Sequence, residues 1–325
     1  MSTLRDVAAK ANVSVITASR VINYPYLVKT ATRERVMRAI EELHYMPNIT
    51  AKNLVTRKSG TVVIYIPADY DFSDPFVMNL ITGVSISLSE HMYSLLILRD
   101  LETEHFCDGY IVTGMSGRDV APVYEYAVKR GRHVVMFGHT YFKGISCIDV
   151  DNIAGGKIAV KYLLNNGHRK IAMINADEAG DYPSERYRGY VEALSEYGID
   201  PDSSLYITSK NHVPEGEEAA IKLLKEKKCT AIFCATDALA NGAIQAAKSL
   251  GMKVPNDISI MGYDGMGYQY LSSPTLSTVK QPVTLIGEML SDKLLDEING
   301  DTKFEQKLLI PKLSAGGSVA PAQKR

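Results

Sequence analysis

The chain has 325 residues, 46% of them hydrophobic and 22% charged, enough for two or more globular domains. No apolar run is long enough to span a bilayer, which excludes a helical membrane protein. The net charge of −1 is unevenly placed: residues 1–58 carry ten Lys/Arg against four acids, a net +6, leaving −7 on the remainder. A small basic head on an acidic body points to a polyanionic partner for the head.

Four cysteines, Cys107, Cys147, Cys229 and Cys234, form no CxxC pair and lack flanking ligands at metal spacing. They are expected as reduced core thiols, with no metal and no cofactor. The opening MSTLRDVAAKANVS lacks the uninterrupted apolar core of a signal peptide, so a cytoplasmic location is expected.

The head reads as three short helices. Thr3 caps the first, with Asp6 reaching back and Leu4, Val7, Ala8 and Ala11 on one face. A turn at Ala11-Asn12-Val13 leads to Ser14, which caps the second helix. There Ala18, Val21 and Ile22 form the core stripe. Val15, Ile16, Ser19 and Arg20 fall on the opposite side, so two β-branched aliphatics face away from the core beside an arginine. A third helix is expected over about Thr32–His44 with Val36, Ala39, Ile40 and Leu43 inward, ended by Pro47. Two helices joined by so short a turn make a helix-turn-helix. The following NITAKNLVTRKSG is polar and basic; it reads as a linker, or as a helix that needs a partner to form.

From Thr61 the pattern changes. TVVIYI, YSLLIL, GYIVTG, HVVMF, KIAMIN, AIFCAT and ISIMGYD are short, apolar, β-rich runs. Most are separated by stretches of helical period: Met78–His91, Ala154–Asn166, Glu185–Tyr197, Glu215–Lys225 and Ala238–Leu250. Near-continuous apolar strands alternating with helices predict doubly wound parallel sheets, in two similar halves with a cleft between them. Between YSLLIL and GYIVTG lies only RDLETEHFCD, short for a parallel crossover. Either its helix has shrunk to a turn or the topology there is irregular.

TLRDVAAKANVSVITASRVIN, TRERVMRAIEELHYMPN and AKNL resemble the DNA-binding head and hinge of the lac/gal repressor family. VDNIAGGKIAVKYLLNNGHRKIAMI, ERYRGYVEALSEYGI, TDALANGAIQAAKSLGMKVPNDISIMGYDG and SPTLSTVKQP resemble its effector-binding core. The resemblance runs from Thr3 to about Ser318 and implies a helix-turn-helix head over 1–46, a hinge over 47–60 and a periplasmic-binding-protein-like core over 61–325. Within the core it implies one subdomain over about 61–150 and 280–310 and another over about 151–279 and 311–325.

It further implies a homodimer or tetramer on a pseudo-palindromic operator in double-stranded DNA, with the second helix in the major groove. Thr3, Leu4, Ser14, Val15, Ile16, Thr17, Ser19, Arg20, Asn23 and Tyr45 are then the candidate DNA contacts of the head, Val15 and Ile16 reading bases. Aliphatic side chains suit thymine methyls, and Arg20 suits guanine. In the hinge, Asn48, Ala51 and Leu54 are candidates, with Leu54 an apolar wedge in the minor groove. For a small polar effector, a sugar or sugar derivative, the resemblance points to Arg186 and Asp264, more weakly to Thr236 and Gln281, and to Phe76. The expected function is repression of carbohydrate-related genes, switched by that effector.

Four departures stand out: the short crossover Arg99–Asp108, Gly265 where many members carry a second acid, Gly316 where the family pattern has arginine, and Lys29 where it has serine. Thr30 or Thr32 is expected to cap the third helix instead. Two other functions compete. A sugar-binding protein without a regulatory role is disfavoured by the basic head. An enzyme is disfavoured because no G-x-S-x-G or P-loop occurs, and His139, His168 and His212 have no evident nucleophile to serve.

Overall fold

The computed structural model describes residues 2–23, 27–45, 58–68, 70–100, 105–113, 120–140, 142–178, 180–226 and 229–323. The chain divides into two compact units, one ending at Gly60 and one beginning at Thr61. The hinge candidates Asn48, Ala51 and Leu54 lie outside the described residues, as does the side chain of Asn23.

The first unit contains α1 (Leu4–Lys10), α2 (Val15–Asn23) and α3 (Thr30–Glu42). Thr3 and Asp6 close a reciprocal capping box at α1, and the Ser14 hydroxyl accepts from the Thr17 backbone N–H at 3.1 Å. Val7, Ala8, Ala11, Ala18, Val21, Val36 and Ala39 form the core, flanked by half-buried Leu4, Ile40, Leu43 and Tyr45. Helix α3 begins two residues earlier than expected and stops at Glu42. Its N-cap is Lys29, with no side-chain cap bond, and both Thr30 and Thr32 lie inside the helix. The threonine caps expected from the sequence are therefore not made.

The second unit holds two six-stranded sheets. In chain order its elements are β1 (Thr61–Tyr65), α4 (Pro75–Glu90), β2 (Ser94–Leu98), β3 (Gly109–Val112), α5 (Ala121–Val128), β4 (His133–Phe137), β5 (Ser146–Val150) and α6 (Asn152–Asn165). There follow β6 (Ile171–Ala176), α7 (Tyr182–Glu196), β7 (Tyr206–Ser209), α8 (Val213–Lys225), β8 (Ala231–Cys234) and α9 (Asp237–Ser249). The chain ends with β9 (Ser259–Asp264), β10 (Ser277–Lys280), α10 (Val283–Ile298), β11 (Gln306–Leu309) and β12 (Lys312–Ser314).

The first sheet runs β11-β5-β4-β3-β1-β2 and is wholly parallel. The second runs β12-β10-β9-β8-β6-β7, with only β12 antiparallel. The chain crosses between the sheets three times: from β5 to α6, from β10 to α10 and from β11 to β12.

The interior strands of each sheet bury both faces, which is why their sequences are almost continuously apolar, whereas the edge strands β2, β7, β11 and β12 stay partly exposed. In β6, Ala172 and Ile174 join the core under α8 and α9, while Ile171 and Met173 join the one under α6 and α7. The first sheet likewise has α4 and α10 on one face and α5 on the other. Helix pairs approach closely at glycine. A Cβ on Gly189 of α7 would lie 2.3 Å from the Ile153 carbonyl oxygen of α6, so only glycine allows this crossing.

The order β2-β1-β3 is regular, so the β2–β3 connection is a shortened crossover rather than an irregular topology. Residues 101–104 of it lie outside the described residues; the others form no helix. Tyr65, Leu96 and Leu98 stay only half-buried on that face, and Phe106 is exposed.

Candidate functional site

In the first unit the outer face of α2 carries the recognition candidates. Ile16 is 69% and Val15 42% exposed, whereas Ala18 on the opposite face is fully buried. Arg20 is exposed beside them, and Thr17 and Ser19 are partly so. Ser14 caps α2 and shares its hydroxyl with Thr17 Oγ1 at 2.9 Å. Thr3 is exposed but engaged in its capping box. Leu4 and Tyr45 are half-buried against the core, so part of each side chain packs rather than faces outward. Arg5, Arg33, Arg35 and Arg38 are exposed around them, while Lys10 pairs with Glu42 at 2.7 Å.

In the second unit the effector candidates stand at or just beyond the C-terminal ends of the strands of both sheets, where doubly wound folds generally bind ligands. Arg186, on the first turns of α7, is 4% exposed. Its Nε donates to Asn152 Oδ1 at 3.0 Å, and its Nη1 donates to the Ala235 carbonyl at 2.6 Å and to Asp264 Oδ1 at 3.3 Å. The guanidinium lies 3.7 Å from the ring centre of Tyr263 and 4.4 Å from that of Tyr182. Gln281 Nε2 donates to the same Asp264 oxygen at 2.7 Å. Arg186, Asp264 and Gln281 are thus joined directly.

Thr236 stands next to this group, capping α9 through the Leu239 N–H and bonding Asn211. Phe76 does not join it. Its ring meets Phe137 edge-on at 5.0 Å in the core of the first sheet. Its backbone N–H is held by Asp74, the N-cap of α4.

Asp264 has a backbone φ of +123°, a strained conformation for a residue with a Cβ. Burial and the Asp74 charge push its carboxyl up, and Arg186 opposes them. Neighbouring Asp237 is pushed up as well, first by burial and then by the Asp264 charge. Its carboxylate oxygens accept from Thr278 Oγ1 at 2.6 Å and the Gly265 N–H at 2.9 Å. At Gly265 φ is +63°, and a Cβ would lie 2.7 Å from Lys280 Cα; the missing second acid is replaced by close backbone packing. Gly316 is similar: a Cβ there would lie 2.6 Å from the Thr275 carbonyl.

Sequence reasoning missed a second polar group that spans the two sheets. His139, after β4, lies 3.5 Å from Asp149 of β5, 3.7 Å from Asp181 and 3.8 Å from Glu185. The hydrogen bond to Asp149 dominates, and with the other carboxylates it raises the imidazole to about 9. Asn152 joins this group to Arg186, because its Nδ2 donates to Glu185 at 3.0 Å. The signal available was VDN at the end of β5, an amide at the first turn after a strand; Asp181 and Glu185 had none. His168 is a buried core histidine between Thr230 Oγ1 and the Ala320 carbonyl, both at 3.0 Å. His212 is exposed at the N-cap of α8. The thiols of Cys107, Cys147, Cys229 and Cys234 are free and pushed up by burial.

Two family models match the chain: bacterial regulatory proteins of the lacI family over residues 3–48, and a periplasmic binding protein-like domain over residues 160–319. The HTH-type transcriptional regulator YvdE of Bacillus subtilis (strain 168) is 36% identical, over 95% of this chain and 98% of its own. CelR of Thermobifida fusca, another such regulator, is 32% identical over 95% of each. A solved complex of the transcriptional regulator CelR with cellobiose is 30% identical, covers 98% of this chain and 100% of its own, and has a TM-score of 0.73. A lac repressor dimer bound to operator, 24% identical with a TM-score of 0.75 over 98% of this chain and 99% of its own, shares the fold. The chain belongs to the lacI family of bacterial regulatory proteins, which are DNA-binding transcriptional regulators and not enzymes.

Proposed function

We propose that this regulator binds a pseudo-palindromic operator through α2 of each subunit of a homodimer, and that a small polar effector between the two sheets sets its operator affinity. The observation that carries the reading is the outward face of α2. Val15 and Ile16 are exposed on a helix whose core face is already filled by Ala18 and Val21. Large exposed aliphatics beside an arginine suit the thymine methyls and guanine edges of a major groove. The lac repressor, which shares the fold, binds its operator as a dimer, and the same arrangement is proposed here. Asn48, Ala51 and Leu54 then form the hinge contacts, Leu54 as a minor-groove wedge. Boundaries at about 46 and 60 separate head, hinge and core, and the protein works in the cytoplasm, where chromosomal DNA is.

For the cleft, the linked Arg186, Asp264 and Gln281, with Thr236 beside them and Phe76 supplied separately by the first-sheet half, are the effector contacts. The CelR–cellobiose complex and a ribose-bound regulator from Enterococcus faecium, 25% identical, support a sugar or sugar derivative and hence carbohydrate-related target genes. An effector gripping both sheets biases their relative angle, and so the spacing of the two hinges. A mobility-shift titration of the full chain against palindromic sites near its own gene, with sugars added, tests this. One site bound over random DNA, with a sugar-dependent shift in affinity, is expected. Equal affinity for all DNA at every salt concentration overturns it.

A further inference from the structure

Resting on that reading of the cleft, we infer that the effector is an uncharged polyhydroxylated molecule, a neutral saccharide, and that the lining carboxylates reject its acidic and phosphorylated counterparts. An arginine is the usual device for holding an anionic ligand, by a bidentate fork. Here that device is engaged. Arg186 donates to Asn152, the Ala235 carbonyl and Asp264, and is flanked by two tyrosine rings.

The surrounding charge is acidic from both sides. Asp74, from the first-sheet half, lies near enough to push up the carboxyl of Asp264, and is itself pushed up by burial and then by the Glu178 charge. Asp149, Asp181 and Glu185 gather around His139, so that cation already has carboxylates at 3.5 to 3.8 Å. An anion entering here meets more like charge than opposite charge, whereas a sugar hydroxyl finds carboxylate acceptors that need no counter-ion.

A separate observation points to a hydroxylated partner. Thr113, the residue after β3, is 1% exposed, and its Oγ1 is the one buried side-chain oxygen or nitrogen without a hydrogen-bond partner among the described residues. An orphaned buried hydroxyl is costly and needs a ligand or water to complete it. Strand alternation places it on the face of Ile111, toward the core that holds Phe76 and Phe137. A hydroxyl can pair with a neutral sugar as donor or acceptor.

The experiment compares matched ligands on the full-length chain at neutral pH by thermal shift and calorimetry: glucose, galactose, maltose and cellobiose against glucuronate, galacturonate and glucose 6-phosphate. At least one neutral sugar is expected to bind, with the acidic members about tenfold weaker or worse. Asp74→Asn retains a side chain that caps α4 and is expected to narrow that gap several-fold. Thr113→Val is expected to weaken the neutral sugar, whereas a threonine that serves only the fold leaves sugar affinity unchanged when it is replaced. An acidic member binding as tightly as the neutral ones, or a gap unchanged by Asp74→Asn, overturns the inference and leaves the cleft reading standing. A neutral sugar that binds unchanged to both Thr113→Val and Arg186→Lys lies elsewhere, and binding by neither class means no saccharide site; either result overturns the cleft reading itself.

Discussion

Gln281 holds Asp264 twice: its Nε2 donates to Oδ1 at 2.7 Å and its backbone N–H to the carbonyl oxygen at 2.9 Å. Gln281 stands between β10 of the second sheet and α10, which packs on the first. The acid that pairs with Arg186 is thereby tied to one of the three passages between the halves. A ligand that competes for Asp264 pulls on that passage.

Asp264→Asn removes the charge but retains the shape, and asparagine tolerates positive φ better than most residues. The chain is expected to fold and to bind operator in the absence of sugar, while affinity for the sugar falls by about 1.5–3 kcal/mol. Calorimetry with a saccharide that binds the native chain checks this; unaltered affinity removes Asp264 from the site.

Val15→Ala with Ile16→Ala is expected to lower discrimination between operator and random DNA by roughly 1–3 kcal/mol per lost base contact. Salt-dependent binding to random DNA should persist, because phosphates supply it. Fluorescence anisotropy on both DNAs reads the difference, and both side chains are exposed enough that the head should melt as before. Equal loss on both DNAs means that this face supports the fold.

Ser14→Ala removes the N-cap of α2 and is expected to cost about 1 kcal/mol of head stability. The core from Thr61 onward is a separate compact unit. Two-step melting followed by circular dichroism should therefore show only the earlier step moving, with operator binding lost at a lower temperature.

His139 keeps its proton to about 9 in the folded chain, against 6.5 for the free side chain. Its contribution to stability is complete below about pH 6.5 and is lost as pH rises through 9. Asp237, raised by burial, also favours acid conditions, over a lower range. The difference between native chain and His139→Gln isolates the histidine. Chemical denaturation from pH 6 to 10 is expected to show the two converging as pH rises; parallel curves would contradict the ion pairing with Asp149, Asp181 and Glu185.

Gly265→Glu restores an acid where many family members carry one, but at φ +63° and with a Cβ 2.7 Å from Lys280 Cα. A loss of about 1–3 kcal/mol is expected by thermal melting. A stable variant would mean that the β9–β10 backbone yields at low cost.

Local signals carried far in the sequence. The Thr3–Asp6 box, the Ser14 cap and the apolar strand cores could be read because the interacting residues are neighbours or alternate with a fixed period. Lys29 as the cap of α3 could not, since no side-chain bond marks that helix end. Strand β11 was equally obscure: Gln306, Lys307 and Leu308 are exposed, so no apolar alternation marks it. Arg186, Asp264 and Gln281, named through motifs, do meet in the fold. The Asp149–His139–Glu185 group was not named, because its members come from two sheets and meet only after folding.

β11 completes the first sheet by pairing with β5, although more than 150 residues separate them in the chain. During synthesis β5 therefore leaves the ribosome long before its neighbour exists. Its flank is an open hydrogen-bonding edge for all that time. The half that emerges first is the half that must wait, and a ribosome stalled anywhere before Gln306 leaves a nascent chain with that edge bare, ready to pair with another copy.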